Sequence, residues 1–221
     1  EEAPWRSELR DVSISDIVLF IDPLDGTGEF LRGELEYVTN LFGVAVGGVP
    51  VAGIINQAWS SEFPTGRTIW GGDGVGARGA VITNRPAQLD VISTNRNVRS
   101  DRCGKGLEAL CAGSGFDKQK IERASATGYN LLSVLEGRSS IFVLTRHGTK
   151  KWDSCAGEAL LAATGGIVTD AVGRRYKYNA SPSLVHNHCG LLAARSKTLH
   201  AEAAQLLRPV LHPWPLDIDD P

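Results

Sequence analysis

The sequence contains no methionine, few cysteines and no apolar run approaching the roughly 20 residues that cross a bilayer. The missing methionine, a starting one included, points to a chain that begins inside a longer gene product. Its first residues, Glu1-Glu2-Ala3-Pro4-Trp5, supply neither the basic nor the apolar region of a signal peptide. A soluble, cytoplasmic protein with no membrane partner is therefore expected. The four cysteines, Cys103, Cys111, Cys155 and Cys189, form no C-x-x-C pair, which argues against a disulfide or zinc framework and for reduced, mostly buried thiols. An excess of one charge is lacking too. The 23 basic and 25 acidic residues leave a formal net charge of −2, with no basic block to coat a phosphate backbone, so polymeric nucleic acid is not an expected partner. There is no internal repeat and no low-complexity segment.

What is present suits a globular protein with a real core: 42% of residues are hydrophobic and 22% charged. Ile17-Val18-Leu19-Phe20-Ile21 reads as a strand buried on both faces and ended at once by Pro23. β-rich runs at 38–46 and 51–55 flank the turn Gly47-Gly48-Val49-Pro50, which predicts antiparallel neighbours. Runs at 67–70 and 80–83 around a glycine-rich stretch predict a second hairpin. Beyond about residue 88, signals at 91–93, 104–112, 129–135 and 141–144 alternate between strand and helix, as in α/β layering. Apolar Ala156, Ala159, Leu160 and Ala163 recur at helical spacing before Gly165-Gly166, predicting a buried helix from about Ser154. A strand at 190–194, a terminal helix at 200–207 and a loosely held tail at 209–221 complete the reading. The chain divides into an N-terminal sheet half, 1–88, and a C-terminal α/β half, 89–221.

Asp22-Pro23-Leu24-Asp25-Gly26-Thr27 carries the chemistry. A strand delivers Asp22 to its carboxyl end, and a tight turn brings Asp25 back beside it. Two carboxylates held together are unfavourable unless protonated or neutralised, and hard divalent cations take carboxylate and carbonyl oxygens, so Asp22, Asp25 and the Leu24 carbonyl are candidate Mg²⁺ ligands. The amides of Gly26 and Thr27 could cradle a phosphate held by the same ions. Trp152-Asp153 precedes the predicted helix, where Asp153 could serve as a further ligand, as an N-cap, or as both.

These residues look like the signature of the inositol monophosphatase superfamily, whose C-terminal motif resembles Lys150-Lys151-Trp152-Asp153-Ser154-Cys155-Ala156 followed by Gly165-Gly166. The segments Val51-Ala52-Gly53-Ile54-Ile55-Asn56-Gln57, Gly66-Arg67-Thr68-Ile69-Trp70-Gly71 and Leu135-Glu136-Gly137 are similar to the bisphosphate nucleotidase branch, with the inositol polyphosphate 1-phosphatases as the alternative. The resemblance implies an α/β fold, the layered α-β-α-β-α sandwich of the sugar phosphatases, here without its N-terminal helices. It implies Asp153 as the residue completing a site for two or three Mg²⁺ ions, and lithium-sensitive hydrolysis of a small phosphorylated substrate, a nucleotide bisphosphate or an inositol phosphate, without a covalent intermediate. Glu1 or Glu2 is the candidate for a further metal ligand. Thr27 is implied to help orient the attacking water together with an upstream acidic group that this chain lacks, so the chain alone is expected to turn over slowly. Ala126-Thr127-Gly128-Tyr129-Asn130 resembles a family loop near the nucleotide, making Gly128 and Tyr129 candidate substrate contacts, while Ser93-Thr94-Asn95-Arg96-Asn97-Val98 resembles an adenosine-side loop. Lys150, Lys151, Arg96 and Arg146 are candidates for holding a second phosphate.

Three other features fail to make sites. Gly74-Val75-Gly76-Ala77-Arg78-Gly79 fits a dinucleotide pattern, but a strand pattern follows it and no helix start is available. His186 and His188 lack a third metal partner, and Cys155 lacks a base.

Overall fold

The computed structural model describes residues 11–82, 91–96, 101–180 and 185–211. Strands β1 (Ile17–Asp25), β2 (Thr39–Val46), β3 (Val49–Gln57), β4 (Arg67–Gly72) and β5 (Gly76–Arg78) form an antiparallel sheet in sequence order. Strands β6 (Ile92–Thr94), β7 (Ile121–Arg123), β8 (Ile141–Leu144), β10 (Ile167–Thr169) and β12 (Leu191–Ala194) form a mixed sheet in the order β10-β12-β8-β6-β7. It is parallel across β8, β6 and β7 and antiparallel elsewhere. A short ribbon pairs β9 (Thr149–Lys150) with β11 (His186–Asn187). The helices are α1 (Thr27–Leu31), α2 (Asp101–Gly113), α3 (Thr127–Glu136), α4 (Lys151–Ala163) and α5 (Lys197–Leu211).

Helices α3 and α4 lie between the two sheets, and α2 and α5 cover the far face of the mixed sheet. Among the described residues the layering is thus sheet, helices, sheet, helices, the α/β architecture expected. All four cysteines are free, three of them buried. No helix among the described residues is long and apolar enough to cross a membrane.

Strand β1 departs from its expected burial on both faces. It is the edge of the first sheet, and Leu19 is 64% exposed while Phe20 is buried. Ile21, Phe42, Ile54 and Trp70 are cross-strand neighbours across β1 to β4 and form an exposed apolar row on the outer face. Pro23 does not end the strand either. Pairing with β2 resumes at Asp25 after an irregularity, which an edge strand tolerates because proline's missing N–H need not face a neighbour. The second hairpin returns at β5, not at 80–83, because Gly74, with φ +79°, turns the chain back at once and Val75 N–H reaches the Gly72 carbonyl. Residues 80–82 are not strand, and 83 lies outside the described residues, as does 212–221 of the expected tail. Residues 209–211 continue α5 instead.

On the inner face Phe20, Gly43, Gly53 and Gly71 stand in one cross-strand row. Helix α4 lies on these glycines: a Cβ on Gly43 would come within 2.6 Å of Cys155, and one on Gly53 would enter the Ala156 backbone. The missing side chains let the helix sit directly on the sheet. That contact brings Asp153, in the first turn of α4, to the end of β1 that carries Asp22 and Asp25.

Candidate metal centre

Asp22, Asp25 and Asp153 each offer a carboxylate oxygen, and these lie within 4.8 Å of one another. The convergence expected across the long sequence gap is therefore present. The three acids border a cleft of about 330 Å³ whose other walls include Leu24, Gly26, Thr27, Asn95, Lys150 and Trp152.

Each acid is held by a different local device. Asp22 Oδ1 accepts the Leu24 N–H at 3.0 Å, closing the turn around Pro23, and Asn40 Nδ2 donates to the Pro23 carbonyl at 2.6 Å. Asp25 is buried. Its Oδ2 accepts Gly128 N–H at 2.7 Å and the Thr39 hydroxyl at 3.1 Å, and its Oδ1 accepts Thr127 N–H at 3.2 Å. Asp25 therefore caps α3, whose own N-cap residue, Ala126, has no side-chain acceptor. A Cβ at residue 128 would stand 2.6 Å from Thr39 Oγ1 and 3.0 Å from Asp25 Oδ2, so the cap requires glycine there. Asp153 Oδ2 accepts Lys150 N–H at 2.8 Å, and this back-bond starts α4 at Lys151, three residues earlier than the apolar pattern predicts.

The electrostatics are those of an acid cluster lacking a counter-charge. Burial, aided by repulsion from Asp22, lifts the Asp25 carboxyl from its ordinary value to about 7, against the lowering effect of its hydrogen bonds. Burial also raises Asp153, with Asp25 the next cause and Asp22 further adding to the shift. Three close carboxylates, with Asp25 and Asp153 held above their usual range, beside a backbone carbonyl in a polar cleft, are a donor set fit for hard divalent cations.

The other expected site residues are spread around this centre. Gly26, with φ +87°, starts α1, and the Thr27 hydroxyl donates to the Leu24 carbonyl at 3.2 Å, so all three border the cleft. Gly128 lies behind Asp25 and serves it instead of facing the cleft. Tyr129 is turned away: its ring packs edge-on to Tyr37 at 4.8 Å, and its hydroxyl accepts Arg138 Nη1 at 2.7 Å. Lys151 is only 1% exposed, with its ammonium 4.1 Å from the ring centre of Tyr176. It is folded back into the core beneath α4, whereas Lys150, which precedes the helix, borders the cleft. Arg96 pairs with Glu34 at 2.8 Å, and Arg146 donates to the His147 carbonyl. Glu1 and Glu2 lie outside the described residues.

Glu29 escaped the sequence reading. It is fully buried, and its Oε1 accepts Ser125 N–H at 2.8 Å and faces Arg32 Nη2 at 2.9 Å, tying α1 to the loop ahead of α3. An acid inside Asp-Gly-Thr-Gly-Glu-Phe carries no sequence signal for burial. Cys155 is fully buried on the glycine row, and burial pushes its thiol well above the usual range, which removes it as a nucleophile. His186 and His188 stack with ring centres 5.5 Å apart on and beside β11, and the acidic trio is the one metal-competent cluster among the described residues.

Comparison with known proteins follows this geometry. The model of the inositol monophosphatase family matches residues 1–212. The 3′(2′),5′-bisphosphate nucleotidase 1 of Mus musculus is 36% identical over 196 residues, covering 86% of this chain and 61% of its own length. That of Dictyostelium discoideum is 32% identical over 216 residues, covering 91% and 66%. Inositol monophosphatase 3 of Danio rerio is 32% identical, covering 84% and 52%. The chain thus spans less than two thirds of the length of these relatives. Among solved structures, the Staphylococcus aureus inositol monophosphatase-II superposes with a TM-score of 0.69 at 20% identity, covering 90% of this chain and 71% of that one, a likeness of fold.

Proposed function

Because the chain belongs to the inositol monophosphatase family, we propose that the protein it represents is a Mg²⁺-dependent phosphomonoester hydrolase that removes the 3′-phosphate of 3′-phosphoadenosine 5′-phosphate. The observation that carries this reading is the meeting of Asp22, Asp25 and Asp153 within 4.8 Å at a polar cleft. The similarity to bisphosphate nucleotidases from two organisms supports the nucleotide as substrate. The similarity to inositol monophosphatase 3 favours, as the second reading, an inositol phosphate in the same site.

In this reading Asp22, Asp25, Asp153 and the Leu24 carbonyl hold the cations, two or three in number, with Glu1 or Glu2 as a further ligand. Mg²⁺ in such a site polarises a phosphoryl oxygen and lowers the pKa of water. The protein's own groups do the rest. Asp25 is fixed by the α3 amides and Thr39, so it cannot swing away when a ligand enters. The Gly26–Thr27 turn presents backbone amides to the phosphate oxygens, and the left-handed Gly26 leaves no Cβ in their way. The Thr27 hydroxyl, placed at the Leu24 carbonyl beside the acids, orients the water that attacks phosphorus.

The test is phosphate release by this chain and by an N-terminally extended form, with and without Mg²⁺, on 3′-phosphoadenosine 5′-phosphate and on inositol 1,4-bisphosphate. Mg²⁺-dependent release from the nucleotide, abolished in Asp25→Asn, is expected. Release from the inositol compound alone transfers the assignment to the second reading, and release from neither by the extended form ends both.

A further inference from the structure

Asp153 reaches the acidic centre from α4, and two devices set where it stands. The glycine row fixes how closely the helix lies on the sheet, at Cys155 and Ala156. The start of the first turn is set at Lys150, whose N–H bonds Asp153 Oδ2. Lys150 belongs to the ribbon of β9 and β11, which has only two residues in each strand, too few to hold a helix start by backbone pairing alone.

Asn187, on β11, completes the hold. Its carboxamide is fully buried, and Nδ2 lies 2.9 Å from the Lys150 carbonyl, 3.0 Å from Ser154 Oγ and 3.2 Å from Thr149 Oγ1. One side chain thus spans the end of β9 and the first turn of α4. The adjoining Lys151 N–H donates to the Val185 carbonyl at 2.7 Å, so both sides of the Lys150–Lys151 peptide are anchored on residues 185 and 187. The amide can face only one way. A carbonyl accepts and cannot donate, so the NH₂ group must meet Lys150. Ser154 demands the same orientation: Tyr178 gives its proton to Glu158 Oε2 at 2.7 Å, Ser154 gives its own to the Tyr178 hydroxyl at 3.0 Å, and the serine oxygen is left to accept from Asn187. Asn187 Oδ1 has no hydrogen-bond partner among the described residues, a cost that the reverse orientation would exceed by setting two carbonyl oxygens face to face.

Resting on the reading of Asp22, Asp25 and Asp153 as a cation centre, we propose that Asn187 is a positioning residue for that centre. It does not border the cleft; it fixes the Lys150 peptide from which the Asp153 carboxylate is aimed at the other two acids. Groups that orient a metal ligand are worth about 10-fold to 100-fold in affinity. Asn187 acts through one intervening peptide, which puts its effect at the lower end.

The test is Mg²⁺ binding to the full chain by calorimetry, under conditions where urea titration shows each variant to be folded. Asn187→Ala is expected to weaken Mg²⁺ binding about 10-fold. Tyr178→Phe, which cuts the same buried chain beyond Ser154 but leaves the bond to Lys150, should lower stability and keep Mg²⁺ affinity within about 2-fold of the wild type. Unchanged affinity in Asn187→Ala overturns the assignment, and so does an equal loss in Tyr178→Phe, which would mark a general loosening of the helix. Should Asn187→Ala fail to fold, the wild type decides: the side-chain amide resonances of Asn187 shift with Mg²⁺ at the midpoint of the calorimetric isotherm, and resonances indifferent to Mg²⁺ overturn the assignment. Phosphate release by the N-terminally extended form is followed beside binding. Weakened Mg²⁺ binding in Asn187→Ala with no release by the extended wild type refutes the hydrolase reading and leaves Asn187 standing, while release with unchanged affinity does the reverse. A wild type that binds no Mg²⁺ overturns both.

Discussion

Arg67 and Glu136, 69 residues apart, meet in a two-pronged ion pair, with Nη1 to Oε1 at 2.6 Å and Nη2 to Oε2 at 3.0 Å. The pair joins β4 of the first sheet to the end of α3, and both side chains are largely buried, at 11% and 3% exposure. Glu136 also accepts Val81 N–H and Arg138 Nε. Removing one partner strands a charge in the interior, so Glu136→Gln is expected to cost about 3–5 kcal/mol of unfolding free energy. Arg67→Met/Glu136→Met should be milder than either single change. Urea titration of Glu136→Gln, of Arg67→Met and Glu136→Met singly, and of the double variant checks this, and a loss below about 1 kcal/mol for Glu136→Gln would show the pair to be dispensable.

The acid cluster links cation binding to pH. Below about pH 4 the Asp25 carboxyl is protonated in both the folded and the unfolded chain. Between there and about pH 7 the unfolded chain has lost the proton while the folded one keeps it. The cation-free protein therefore loses stability as pH rises through this window, by up to about 1.4 kcal/mol per unit from this one group. Mg²⁺ competes with the same proton, so its addition should raise the melting temperature little at pH 5 and substantially at pH 8. A Mg²⁺ effect that is equal at both pH values would contradict the cluster's role.

Asp25→Asn separates stability from cation binding. An amide needs no counter-charge in this buried position, and its one oxygen can keep the Gly128 and Thr39 bonds at the cost of the longer Thr127 bond. At pH 8 without added metal this variant should melt higher than the wild type, and it should gain nothing from Mg²⁺. Calorimetric scans of both proteins with and without 10-fold excess chelator decide the matter, and a lower melting temperature for the variant without metal would run against it.

His200 sets an acid limit on the second half. It is buried, its ring bonds Thr169 Oγ1 at 2.8 Å, and burial lowers its pKa to about 4. Above about pH 6.5 the ring is neutral in both states and costs nothing. As pH falls from there towards 4 the unfolded chain takes up a proton that the fold refuses, and stability declines by up to about 3 kcal/mol. Replacing His200 with Gln should flatten that part of the stability profile, which chemical denaturation at a series of pH values will show. An unchanged slope would place the sensitivity elsewhere.

The three clustered acids were legible in the sequence because each announces itself locally. Asp22 and Asp25 sit in a strand-turn hexapeptide, and Asp153 precedes a helical apolar pattern. The exposed edge at Ile17, Leu19 and Ile21 was not, since a run of five apolar residues reads the same whatever lies beside it. Lys151, expected as a substrate contact, is buried, and nothing in Lys150-Lys151 tells which of the two borders the cleft. That choice belongs to the first turn of α4 and to Tyr176, far along the chain. Glu29 is likewise a product of tertiary burial, which no spacing reveals.

The glycine row beneath α4 has a further consequence, for how such a protein can change over generations. Gly43 and Gly53 do not border the cleft, yet any side chain there wedges the helix off the sheet and carries Asp153 with it. The placement of Asp153 thus depends on two residues a hundred or more positions before it in the chain. Asn95, Ser125 and Lys150 hang from loops and strand ends around the same cleft, free of that constraint. A substitution at one of them can therefore reshape the wall of the cleft without moving the three acids.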